Sequence, residues 1–305
     1  MPPYPNLVSD SALLQETLEL LLHSGGRAPS TIIADSVFKI SNLDEDLASL
    51  LVADLVRDDL RFKVLDGHTI ELQTNSIETG PLDELEFVVV DVEATGAKMP
   101  PNRIIELGAY RIKKGRIVDE FVTLVNPELP IPRFVMTLTG ISTEMVRTAP
   151  FFADVAPRWL EFVGDAVLVA HNAPFDTNFL NHEISRVYPG HRMVNSHLCT
   201  VTLSRRMVPG LANYRLDTIA DHFSIPIADR HRAGSDALAT AEIFIRLLST
   251  FHDNGVRNLA TARNFQLLPP PAEMTPLIAG LDGFDSFRTS FQKRPAHNES
   301  SKQDG

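Results

Sequence analysis

The stretch FVVVDVEATG, residues 87–96, decides the fold. Four apolar residues, Phe87 to Val90, run straight into Asp91 and Glu93, and the run reads as a buried strand. Residues two apart on a strand point to the same face, so the two carboxylates hold their charges side by side. Such a pair repels itself unless a cation or a proton lies between the groups. On these residues alone three readings stay open: both acids are metal ligands, one of them has a raised pKa, or the strand ends early and both are solvated.

The surrounding chain of 305 residues has room for one sizeable domain and a smaller companion, and its 44% hydrophobic content is ordinary for a soluble globular protein. No run approaches the ~20 apolar residues that cross a bilayer, and the opening MPPYPNLVSD lacks a secretory pattern, so no membrane association and a cytoplasmic location are expected. One cysteine, Cys199, excludes an internal disulfide framework and a cysteine metal cluster. A net charge of -11 argues against nucleic-acid binding by bulk electrostatics. The acidity is local: residues 1–80 carry 5 basic against 13 acidic side chains, residues 81–268 carry 19 against 21, and residues 269–305 carry 4 against 5.

The pattern predicts four segments. Residues 1–74 read as three helices and a hairpin: ALLQETLELLLHSGG, PSTIIADSVFKI with Ser30 as N-cap, NLDEDLASLLVADLVRDDL, then RFKVLDGHTIEL turning at Asp66-Gly67. This order resembles a winged helix, a small α+β domain. Its third helix holds Asp44, Glu45, Asp46, Asp54, Asp58 and Asp59 against Arg57, a surface that repels phosphate and suits a protein partner better than DNA. Residues 75–84 read as a linker. Residues 85–268 read as an α/β domain, a meander of strands followed by the strand AVLVAHN and helices over APFDTNFLNHEISRVY, LDTIADHF and SDALATAEIFIRLLSTF, which predicts a mixed sheet flanked by helices. Residues 269–305 read as a disordered tail, in which Phe284, Phe287 and Phe291 recur at helical spacing and offer another docking segment for a protein. NFQLLPPP has the glutamine and leucines of a sliding-clamp peptide without its aromatic ending.

Two further sets of residues bear chemistry. VAHNAPFDTNF places Asp176 just after a short strand, at the start of a helix, where an Asp alone is ordinarily a cap. RHRAGSDALATAEIF places His231 five positions before Asp236. Taken in order, DVEATG, HNAPFD and HRAGSDA resemble the three motifs of the DEDD exonuclease superfamily in its His-bearing branch, which includes the proofreading epsilon subunit of bacterial DNA polymerase III. The resemblance spans about residues 86 to 248, with NRIIELGA, LTGIS and LCTVTLSRRMVPG matching its connecting segments.

That resemblance implies an RNase H-like fold and a metal-dependent 3′→5′ exonuclease that releases nucleoside monophosphates, with DNA the expected substrate. It implies two Mg²⁺ or Mn²⁺ ions about 4 Å apart that clamp the attacking and leaving oxygens of a phosphodiester. By motif, Asp91 would bridge both ions, Glu93 and Asp236 would bind the one holding the attacking water, Asp176 would support the other, and His231 would be the general base. His171 reads as structural. Ala94, Thr95, Gly96, Leu138, Asn172 and Phe175 match residues that line the pocket for the 3′ nucleotide. Val92 and Ala94 stand where family members often have Thr. Arg205, Arg206, Arg215, Arg230 and Arg232 offer cations for phosphates farther along the strand. Two other readings remain: a 3′→5′ exoribonuclease, since relatives with the same motifs trim RNA, and a scaffold with a dead nuclease domain, against which the presence of all five motif residues speaks.

Overall fold

The computed structural model describes residues 4–73 and 76–267. The tail from 269, its three phenylalanines, the prolines of the clamp-like stretch, and Thr74 and Asn75 of the segment read as a linker lie outside the described residues.

The N-terminal elements are β1 (Leu7–Ser9), α1 (Ala12–His23), β2 (Arg27–Pro29), α2 (Ser30–Ser36), α3 (Glu45–Val56), β3 (Phe62–Leu65) and β4 (Thr69–Leu72). The hairpin turns where expected, with Asp66 and Gly67 at φ 49° and 74°, and β2 adds a third strand beside β4. Leu14, Leu21, Ile33, Val52, Val56, Phe62 and Ile70 close a small core over this sheet. Two local expectations differ from what is observed. Pro29, not Ser30, is the N-cap of α2, because β2 runs up to it in extended conformation and leaves Ser30 buried as the first helical residue. The order of three helices and a hairpin also omits a strand that is present: β1 leaves the N-terminal elements and pairs antiparallel with β9 (His191–Met193).

Residues 76–84 are fastened along the surface. They include the single turn α4 (Ser76–Thr79), from which Glu78 binds Ser196 and Arg263, and Leu82, which is buried and donates its N–H to the Arg257 carbonyl at 2.7 Å.

The apolar run then becomes β5 (Glu86–Ala94), the middle strand of a mixed sheet. Its partners are β6 (Ile104–Lys113), β7 (Arg116–Leu124), β8 (Val167–Ala170) and β10 (His197–Cys199), in the order β10-β8-β5-β6-β7. β5, β6 and β7 form the antiparallel meander, and β8 runs parallel to both β5 and β10. Helices cover both faces, which is why β5 is apolar in an unbroken run rather than in alternation. Val88, Val90 and Val92 face α7 (Phe152–Val163) and α8 (Ala173–Val187) in one core. Phe87 and Val89 face the other core, built from α9 (Thr200–Met207), α10 (Leu216–His222), α11 (Ala233–Asp253) and α12 (Leu259–Asn264). The proline-rich loop holds the short helices α5 (Arg133–Thr139) and α6 (Thr143–Arg147), which seal a corner over Ile105. No helix among the described residues is long and apolar enough to cross a membrane.

Candidate metal centre

Alternation along β5 decides where the first two acids go. Asp91 and Glu93 continue the face of Phe87 and Val89, and so lie on the side of the sheet covered by α11. β5 pairs with β8 only from Phe87 to Val89. Beyond that point a crevice opens at the carboxyl ends of two parallel strands, the usual location of sites in such sheets. The first turn of α8 brings Asp176 into it from the opposite side. Asp176 is buried, and its Oδ1 accepts the Val92 N–H at 3.1 Å. The first turn of α11 brings Asp236, also buried, whose Oδ2 accepts the His231 N–H at 3.1 Å and contacts the Arg230 guanidinium.

Asp91, Glu93, Asp176, His231 and Asp236 thus line one cleft of about 170 Å³, with Val92, His171, Phe175, Leu216 and Arg230. Ligating atoms of Glu93, His231 and Asp236 lie within 4.8 Å of one another. The two loop residues that lead into this geometry have left-handed backbones: Asn172 at φ 78° and His231 at φ 61°. Both residue types tolerate that region better than most, and such conformations concentrate at functional sites.

The electrostatics are those of an under-neutralised cluster. Burial, then the charges of Asp176, Glu93 and Asp236, hold the Asp91 carboxyl well above its ordinary range. Burial, then Asp236 and Glu106, push Glu93 up to about 8. Asp176 and Asp236 are raised by burial as well. Burial pushes His171 down to about 4, and its Nδ1 lies 3.0 Å from the Thr200 hydroxyl.

Residues that the motif reading passed over build this site. Glu106 on β6 stands directly opposite Glu93 in the strand register. It is buried, accepts the Ala233 N–H at 2.8 Å and binds the Arg232 guanidinium through both oxygens, so it anchors the start of α11. Gly108, opposite Asp91, lets α11 rest on the sheet: a Cβ there would lie 2.4 Å from the Ala233 carbonyl group. On the other face, buried Glu183 of α8 binds Arg103 Nε at 2.7 Å and Arg186 Nη1 at 3.2 Å, while Arg103 also reaches Glu128 at 3.0 Å. The signal for Glu106 and Gly108 was a charged or glycyl position inside an apolar strand, as in RIIELGA, the same signal that singled out Asp91; Glu183, on a helix, carried none.

The pocket residues are less uniformly placed. Phe175 lines the cleft and packs on Phe179 with ring centres 4.8 Å apart, and Asn172, next in sequence to the cleft residue His171, is exposed and outside the lining residues. Ala94 is buried beyond an irregularity in the β5–β6 ladder. The Thr95 N–H donates to the Arg103 carbonyl and its hydroxyl to Asn102, so neither donor is free for a ligand. At Gly96 the atom that a side chain would strike is Asn102 Oδ1, 2.6 Å away. Leu138 is exposed on α5, outside the residues lining the cleft. Of the arginines, Arg232 is held by Glu106, Arg206 by the Arg263 carbonyl, and Arg205 lies over the Tyr214 ring; Arg215 occupies the N-cap position of α10.

Comparison with known proteins bears on this geometry. The sequence model of the family described as Exonuclease matches residues 88–244. A DNA polymerase III subunit epsilon from Aquifex aeolicus is 42% identical over 162 residues, which are 53% of this chain and 80% of that protein. A DNA polymerase III PolC-type protein from Caldanaerobacter subterraneus is 45% identical over 177 residues, 58% of this chain but only 12% of the far longer relative. Exonuclease X, solved in complex with 5′ overhanging duplex DNA, is 30% identical with a TM-score of 0.44, covering 54% of this chain and 92% of its own.

Proposed function

Because this chain belongs to the exonuclease family, we propose that it is a metal-dependent 3′→5′ exonuclease that removes nucleoside monophosphates from a DNA end, in proofreading or repair. The observation that carries the reading is the convergence of four carboxylates and one histidine, from β5, α8 and the loop into α11, on a single cleft.

The residues present fit divalent cations. Asp236 Oδ1 is buried without a hydrogen-bond partner, and the four carboxyls are each pushed toward their neutral form with one guanidinium, that of Arg230, among the residues lining the cleft. Removing that strain calls for positive charge, and hard oxygen donors favour Mg²⁺ or Mn²⁺ over zinc. Asp91, Glu93, Asp176 and Asp236 would hold the ions. When bound, they would neutralise charge on the scissile phosphate and acidify the attacking water.

The protein's own groups account for the remainder. His231 lies beside Glu93 and Asp236 on a loop, near enough for its ring to take the proton of the attacking water while the bond from phosphorus to the O3′ of the shortened strand breaks. Phe175 and Asn172 offer an aromatic face and an amide to the last nucleotide. The names of the relatives support DNA as the substrate. The acidic N-terminal segment, residues 1–74, favours a protein partner over DNA, and we read residues 85–268 as the nuclease domain.

The test is gel-resolved digestion of matched 5′-labelled DNA and RNA oligonucleotides with Mg²⁺ or Mn²⁺, beside EDTA and the Asp91→Ala protein. A metal-dependent ladder shortening from the 3′ end, faster on DNA and absent in the variant, is expected, and His231→Ala should lower turnover by about 10²–10⁴-fold with little change in metal affinity. Absence of any ladder from folded, metal-loaded protein would refute an autonomous exonuclease, and a faster RNA ladder would replace the substrate.

A further inference from the structure

Arg230 and Asp236 form an unequal pair. Asp236 is fixed: it lies in the first turn of α11, its side chain is 5% exposed, and its Oδ2 accepts the His231 N–H. Arg230 reaches it from the loop between α10 and α11, with its side chain 37% exposed. Its Nη1 touches the same Oδ2 atom, while Oδ1 of that carboxylate, buried, has no hydrogen-bond partner.

Its neighbour Arg232 makes a useful contrast. Arg232 spends Nε and Nη2 on the buried Glu106, which is satisfied further by the Ala233 N–H. That pair is closed. Arg230 instead brings a single positive charge to a cleft lined by four carboxylates and touches one of them. One monovalent group on an under-neutralised cluster is a partner that a small divalent ion, with its greater charge density, will outcompete.

Building on the metal reading above, we infer that Arg230 is the exchangeable counter-ion of this cleft: it holds Asp236 in the metal-free protein and is displaced when a divalent cation takes that carboxylate. Loading the cation and freeing a guanidinium into the cleft are then one event. A freed guanidinium there has the fork geometry that suits a phosphodiester, so the cleft gains its phosphate-binding group only once it can hydrolyse one. Metal loading is correspondingly weaker than four carboxylates alone would give, because the Arg230 pair must be broken.

The experiment is titration of the full chain with Mg²⁺, followed by calorimetry and by ¹⁵N resonances of the arginine guanidinium groups, with that of Arg230 assigned by its loss in Arg230→Lys. In the wild type the Arg230 signal is expected to begin in a hydrogen-bonded, slowly exchanging state and to move to a solvent-like position as Mg²⁺ saturates. Arg230→Gln should bind Mg²⁺ about tenfold more tightly, the scale of a hydrogen bond to a charged group, and should melt earlier when metal is absent. Mg²⁺ binding with an unmoved Arg230 signal, or an unchanged affinity in Arg230→Gln, overturns the exchange and leaves the metal centre standing. Failure of the wild type to bind Mg²⁺ or Mn²⁺ overturns the metal centre and the exchange with it.

Discussion

Glu183 and Glu106 are as deeply buried as Asp176 and Asp236, yet each has guanidinium groups of its own. Glu183 is gripped by Arg103 and Arg186, and Glu106 by Arg232 and a backbone N–H. The cleft acids, one of them on the helix of Glu183 and another across the ladder from Glu106, share Arg230 alone among the residues that line their cleft. The chain therefore knows how to neutralise a buried carboxylate and does so on both faces of the sheet. Where it leaves the acids under-neutralised, room remains for a cation, since carboxylates engaged through both oxygens, as Glu106 and Glu183 are, have no free atom to offer a metal.

The sharpest way to break this comparison is Asp91→Asn. Removing one of four repelling acids should cut exonuclease activity on the order of 10³-fold while the metal-free melting temperature stays level or rises. A loss below tenfold, or a marked fall in stability, would mean that Asp91 is a structural acid after all. Arg103→Met should do the reverse: by leaving Glu183 buried with only the half-exposed Arg186 and the Ile104 N–H it should cost about 3–5 kcal/mol in urea unfolding, with Mg²⁺ affinity of the surviving folded protein nearly unchanged. Gly108→Ala sharpens the boundary between the two regions. Its Cβ collides with the Ala233 backbone, so about 1–3 kcal/mol of stability should go, and the shift of Asp236 away from Asp91 should cost activity beyond that, on the order of 10²-fold per ångström.

The smallest expected effect is with pH. Glu93 titrates near 8 in the fold against an ordinary 4.5, and Asp91, Asp176 and Asp236 are shifted in the same direction. A folded-state pKa above the unfolded one favours the folded protein while the group is protonated; that contribution is complete below about pH 4.5 and fades as pH climbs toward 8. The metal-free protein should therefore melt a few degrees lower at pH 8 than at pH 6, and saturating Mg²⁺ should raise the melting temperature more at pH 8. Equal Mg²⁺-induced shifts at both values would contradict the raised carboxyls.

How much of this was legible beforehand depends on how local each signal was. Asp91 and Glu93 stood out because two acids ended an apolar strand, and Asp176, His231 and Asp236 because their order and spacing matched one pattern. The mixed sheet followed from strands first in a meander and then alternating with helices. Glu106 was visible in IIELGA but not its role, because that depends on the register that sets it across from Glu93. Thr95 was singled out by its motif position alone; that its N–H and hydroxyl donate to Arg103 and Asn102 follows from the approach of β6 and was not legible. Strands β1, β2 and β10 have three residues each, too few for any periodicity, and exist only because a distant partner supplies the other half of the ladder.

Leu7 pairs with Met193, a separation of 186 positions. At roughly 5–20 residues per second, a ribosome would need on the order of ten to forty seconds to deliver the second strand after the first. Throughout that interval the N-terminal helices can close their own small core, but the leading strand has nothing to zip against and must wait with its backbone open. Docking of the two halves is thus a late, long-range step, and Leu7–Ser9 is locked in place only after Met193 has emerged.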